Sequence, residues 1–149
     1  MLEPDDGTRL TEGPALVQRI ADPAPQKDLA PEAGSIDRYR LQEWLTFIGT
    51  ELHKQFSPLT NPSMPSEAKA LFRDKIMARL AYVNQHLAER DYLLGATFSV
   101  ADGYLYTVLR WARSLSMDIS HLANVVAFMA RVSARPAVQQ AMKAEGLAA

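Results

Sequence analysis

Three places in this 149-residue chain carry side chains of a type and spacing that could do chemistry. Glu12 and Gly13 precede a helix that Pro14 opens. Free N–H groups and the positive end of the helix dipole there can hold a carboxylate, and glycine lets the backbone approach it. A plainer reading also stands, in which Glu12 is a favourable early-helix acid and Gly13 a turn residue. Thr46, Thr50 and His53 recur at i, i+4 and i+7, with Glu43 and Ser57 extending the row. They make one polar stripe on an apolar rod, either facing a ligand or simply solvated. His53 is the histidine with a functional context, able to donate a hydrogen bond or carry a proton. His86 and His121 lack that context and are expected to be solvated. Trp111 ends a helix that begins at Ser99, where its ring could face a pocket or the core.

Composition removes whole classes of function. Without cysteine there is no thiol nucleophile, CxxC pair or thiolate metal site, and the sequence calls for no metal and no cofactor. Lys and Arg number 16 against 17 Asp and Glu, a formal charge of -1, so no basic field draws in nucleic acid or a membrane surface. The start, Met1-Leu2-Glu3-Pro4-Asp5-Asp6-Gly7, lacks the basic and apolar segments of a secretory signal, and no run reaches membrane-spanning length. A cytoplasmic location is the expectation. The length suits one domain that buries about two-thirds of the surface of its unfolded chain.

The elements that must position these residues follow from periodicity. Ser99 and Asp102 form a capping-box pattern that starts a helix. Ala101, Tyr104, Leu105, Val108, Leu109, Ala112 and Leu115 follow the 3.6 period, widened by Val100 and Trp111, so this helix should be central. Asp102 is read as a cap with a role in the fold and none in chemistry. Before it, Asp5-Asp6-Gly7 predicts a β-hairpin turn joining Leu2 and Glu3 to Arg9 and Leu10. A short helix follows from Pro14, ended by Pro23 and Pro25, and residues 23–34 read as a linker. A long helix is indicated from Ile36 to Phe56 with Pro58 marking its end, then a second from beyond Pro65 to Leu87. Further helices are marked by Leu122 to Val132 and by Pro136 to Ala144. The fold class is mainly α, five helices behind a hairpin and a short helix.

These segments resemble a family. Thr11-Glu12-Gly13-Pro14-Ala15-Leu16-Val17-Gln18, the run from Trp44 to Pro58 with Glu51-Leu52-His53-Lys54, Phe98-Ser99-Val100-Ala101-Asp102-Gly103-Tyr104-Leu105-Tyr106, Arg135-Pro136-Ala137-Val138 and Glu145-Gly146-Leu147 are similar to bacterial glutathione transferases of the beta type. The resemblance covers the whole chain in order. It implies that residues 1–22 are a remnant of a thioredoxin-like glutathione-binding domain, that 23–34 are the linker, and that 35–149 are the all-helical C-terminal domain. It further implies that Glu12 and Gly13 meet the γ-glutamyl end of glutathione. Thr46, Thr50, Glu51, Leu52 and His53 approach the same ligand, partly across a homodimer interface, with His53 as a possible auxiliary near the sulfur. Trp111 borders the pocket of a hydrophobic electrophile. Two positions depart from the family pattern: Thr46 stands where Asn is usual, and Ser114 where His is frequent. The first two strands and helices of the thioredoxin-like domain have no counterpart in residues 1–149, nor does its thiol-activating residue. The expectation is therefore a transferase of which this chain lacks the catalytic segment and conjugates little; a start assigned at an internal initiation codon is one hypothesis for that lack, a natural truncation another. The other reading is a non-catalytic dimerisation or ligand-binding helical module.

Overall fold

The structure, a computed structural model, describes residues 1–24 and 27–147. Pro25, Gln26 and the last two residues lie outside that range, and with them the share of Pro25 in ending the first helix. Among the described residues there are seven α-helices and no sheet: α1 (Gly13–Ala21), α2 (Ile36–Phe47), α3 (Lys54–Thr60), α4 (Ser66–His86), α5 (Val100–Ser114), α6 (Ala123–Ser133) and α7 (Pro136–Ala144). None of them is long and apolar enough to cross a membrane.

The predicted hairpin shrinks to one bridge. Leu2 and Leu10 exchange both backbone hydrogen bonds at 2.9 Å, and Arg9 pairs with Glu3 at 2.9 Å, but no ladder extends from them. Among the described residues no third strand lies beside them, and two short strands bury too little to zip further.

The long helix also departs from expectation. It is one rod in which α2 passes through a π-helical segment, Ile48–His53, into α3, and it runs two residues past Pro58 to Thr60. A π turn adds a residue per turn, so a stripe drawn at 3.6 spacing does not survive it. Leu41, Trp44, Leu45, Ile48, Leu52 and Phe56 nevertheless all reach the core. α4 packs on α3 and on the π segment, while α6 packs against both α4 and α5.

Arg38 fixes α1 to this bundle. The residue is buried at 6% exposure, and its Nε donates to the Pro31 carbonyl at 2.7 Å while Nη2 pairs with Asp22 at 2.5 Å. One guanidinium thus ties the end of α1 and the segment after it to α2. Bidentate and forked contacts of this kind suit Arg and would not be matched by Lys.

Helix α5 is the centre. Ala101, Asp102, Leu105, Val108, Leu109 and Ala112 are buried, and a capping box closes its start. The Asp102 carboxylate accepts from the Ser99 N–H at 2.8 Å and the Ser99 hydroxyl at 2.9 Å. It also accepts the Leu93 N–H at 2.8 Å, a bond that the sequence does not announce. Burial pushes the Asp102 carboxyl above the ordinary carboxylate value, against the pull of those three bonds. The cap therefore also anchors the turn that precedes the helix, in which Tyr92 and Gly95 exchange backbone bonds and Gly95 takes φ 123.

Candidate functional site

Three elements distant in sequence meet on one wall of the molecule. The π segment carries His53, α5 carries Tyr104 and Trp111, and the start of α1 carries Glu12. His53 Nδ1 lies 2.8 Å from the Tyr104 hydroxyl. The Trp111 ring stands edge-on to the imidazole with centroids 4.7 Å apart, and the Phe56 ring meets Trp111 edge-on at 5.8 Å. Trp111 is therefore partly buried packing and pocket wall at once. With His53, Phe56, Ser57, Thr60, Ser114 and Leu115 it lines a cavity of about 290 Å³. That size is at the small end for ligand pockets and the lining is mostly apolar.

The electrostatics tie Glu12 to the same wall. Burial raises the Tyr104 phenol above its ordinary value, and the nearby Glu12 charge adds to that shift. Tyr104 thus keeps its proton.

The start of α1 is strained. Glu12 sits at φ 65 and ψ 114, a conformation that costs a side-chain-bearing residue about 1–3 kcal/mol and that clusters at ligand sites. The Ala15 and Leu16 N–H groups both donate to the Glu12 carbonyl, and Pro14 has none. Among the described residues the donors left open here are the N–H groups of Glu12 and Gly13, fewer than a free helix start offers. The space that a side chain at Gly13 would take is empty.

The remaining sequence-predicted residues disperse. Thr46 and Thr50 are exposed, the Thr50 hydroxyl bonding back to the Thr46 carbonyl at 3.0 Å. Glu51 pairs with Arg79 of α4 at 2.9 Å. Leu52 is at 0% exposure, and its side chain belongs to the core. The row of Thr46, Thr50 and His53 is a correction, because the π segment turns His53 towards α5 while both threonines stay outside. His86 is a second. Instead of being solvated, its Nε2 lies 2.9 Å from the Leu93 carbonyl and its ring packs on Trp44 at 4.5 Å. His121 is exposed, as expected.

Tyr104 is the residue that sequence reasoning missed. It reads as one more apolar position of a central helix, and nothing in the spacing distinguishes a phenol that packs from one that also bonds. A larger concavity, about 800 Å³, lies elsewhere, between α2 and α4, over Trp44, Phe47 and Tyr82 with Arg79 and Arg90 at its edge. No metal-binding cluster exists among the described residues.

Comparison with known proteins adds the following. Residues 47–136 match the family described as glutathione S-transferase, C-terminal domain. The glutathione S-transferase GstA of Escherichia coli O157:H7 is 46% identical over 143 residues, which are 96% of this chain and 71% of that protein. The solved ternary complex of BphK, a bacterial GST, superposes with a TM-score of 0.95 at 51% identity, over 98% of this chain and 73% of that one. A sphingomonad glutathione S-transferase complexed with glutathione gives a TM-score of 0.93 at 45% identity, over 99% and 73%.

Proposed function

The chain belongs to the glutathione S-transferase family, and from that premise we propose that it carries one wall of a glutathione-conjugating site. In this reading the open N–H groups at Glu12 and Gly13 hold the γ-glutamyl carboxylate, and the Glu12 side chain attends its ammonium. His53 lies nearer the sulfur, and the cavity beside Trp111 receives a hydrophobic electrophile. The reaction is attack by the glutathione thiolate on an electrophilic carbon. The observation that supports this most is the convergence of His53, Tyr104 and Trp111 from two separate elements, with the Glu12 charge near enough to act on the Tyr104 phenol. Thr46, Thr50 and Glu51 contribute only if a second subunit brings a ligand over their exposed side.

The same reading includes a homodimer and a cytoplasmic location. Ile36 and Tyr39 on α2, with Leu71 and Tyr82 on α4, are large apolar side chains at 52% exposure or more, which suits a second copy. Sedimentation of the 149-residue chain as a monomer at all concentrations would remove the dimer. Those exposed residues also favour the alternative of a dimerisation module without catalysis. The division into residues 1–22, 23–34 and 35–149 is part of the proposal too.

Calorimetric titration with glutathione tests the binding half, with weak but saturable heat expected and no heat counting against it. The conjugating half is tested with a chlorinated aromatic substrate. The residues on this wall hold and orient the tripeptide but include no family thiol-activating group, so the 149-residue chain alone should turn over slowly. Robust turnover would refute that assignment.

A further inference from the structure

Tyr104 and His53 meet because the π segment at Ile48–His53 departs from the α-helical register. A uniform α-helix leaves His53 in the row of Thr46 and Thr50, whose side chains are exposed. The extra residue in the turn delivers its imidazole to α5 instead, where Nδ1 lies 2.8 Å from the phenol oxygen, with ring centroids 5.9 Å apart and planes at 68°. Gly49, one turn earlier in the same segment, lies beside that hydroxyl: a Cβ there would stand 3.7 Å from it, an ordinary contact. Trp111 fixes the plane of the imidazole from the side. Ring, plane and one nitrogen are thus all specified.

We propose that Tyr104 is a positioning residue for His53: its hydroxyl donates to Nδ1 and holds the imidazole as the Nε2–H tautomer, a hydrogen-bond donor towards the cleft. A neutral imidazole has one N–H and one bare nitrogen, and the partner of one nitrogen decides the state of the other. Among the described residues His53 is the hydrogen-bond partner of the Tyr104 hydroxyl. If the hydroxyl donates, its proton is paired. If it accepts from Nδ1–H, the phenol proton has no protein acceptor. Burial and the Glu12 charge both oppose loss of that proton, so the donor persists. His53 then offers an N–H to an anionic group of a bound ligand and does not serve there as a base. This role deepens the glutathione-site reading and rests on it for the identity of the ligand.

The test is the imidazole nitrogen spectrum of the 15N-labelled 149-residue chain, recorded by two-bond 1H–15N correlation while the rings are neutral. The expected pattern for His53 is a bare Nδ1 and a protonated Nε2. In Tyr104→Phe, which keeps the ring packing, the two nitrogen shifts should converge towards a tautomer mixture while His86 and His121 keep theirs. A protonated Nδ1 in the unmodified chain overturns the proposal without any variant, and so does a His53 pattern that Tyr104→Phe leaves unchanged. A second arm titrates glutathione. Tyr104→Phe should weaken binding roughly tenfold, and His53→Gln, which restores an N–H near Nε2, should bind better than His53→Leu. Equal loss in the Gln and Leu variants counts against a donor role. If the unmodified chain binds no glutathione, the site reading fails, while the nitrogen spectrum still decides the tautomer.

Discussion

Helix α5 presents two regions only a few residues apart that use polar groups in opposite ways. At its start, Asp102 is fully buried and accepts three hydrogen bonds, from Leu93, from the Ser99 backbone and from the Ser99 hydroxyl. Further along, Tyr104 and Trp111 are partly exposed, one phenol meets one imidazole, and a cavity opens beside His53 and Trp111. Asp102 has its donors and no access. His53 has one nitrogen engaged and a cavity next to it. A buried, fully bonded carboxylate secures a fold, whereas a half-satisfied titratable ring at a cavity is available to a ligand.

The largest effect that could break this contrast is at the start of the helix. Asp102→Ala removes the acceptor of three donors, two of them backbone N–H groups, and should cost about 3 kcal/mol of stability. That exceeds what a cap alone is worth, because Leu93 loses its partner as well. A thermal melt within about 1 kcal/mol of the unmodified protein would dissolve the distinction. His53→Leu should do the reverse, leaving stability within about 1 kcal/mol and lowering glutathione affinity about tenfold, equivalent to about 1.4 kcal/mol; calorimetry beside a urea melt separates the two. Ser99→Ala should cost about 1 kcal/mol as a lost cap, with glutathione affinity unchanged.

The smallest effect is one of pH. Because the folded Asp102 carboxyl lies above its ordinary value of 3.8, the unfolded chain releases this proton first as pH rises. Folding then holds more protons than unfolding, so this group makes stability fall from the unfolded value up through the folded one and level off above it. Asp102→Asn has no such proton. Urea denaturation across that acidic window should show the difference between the two proteins shifting in that direction, and parallel curves would contradict it.

Much of the helix order was legible, for definite reasons. Ser99 and Asp102 sit three apart before an apolar period, which is what a capping box requires, and Pro136 stands at the first position of α7. The rest depended on contacts that no local pattern carries. The Leu93 N–H reaches Asp102 from nine residues away through a turn. Trp44 and Leu93 hold His86 although its own helix gives it no polar company. The π segment broke the inference that kept His53 in a row with the threonines, and Tyr104 stood among the apolar positions of α5. The strain at Glu12 is a property of φ, and a glutamate before glycine does not reveal it.

The most direct test of the central claim, that the two regions of α5 have separate roles, is a backbone amide map of the 149-residue chain titrated with glutathione. Shifts are expected at Glu12, Gly13, His53 and Tyr104, with Leu93 and Asp102 unmoved. Shifts around Asp102 or in the groove over Trp44 and Tyr82, with His53 and Tyr104 silent, would contradict it.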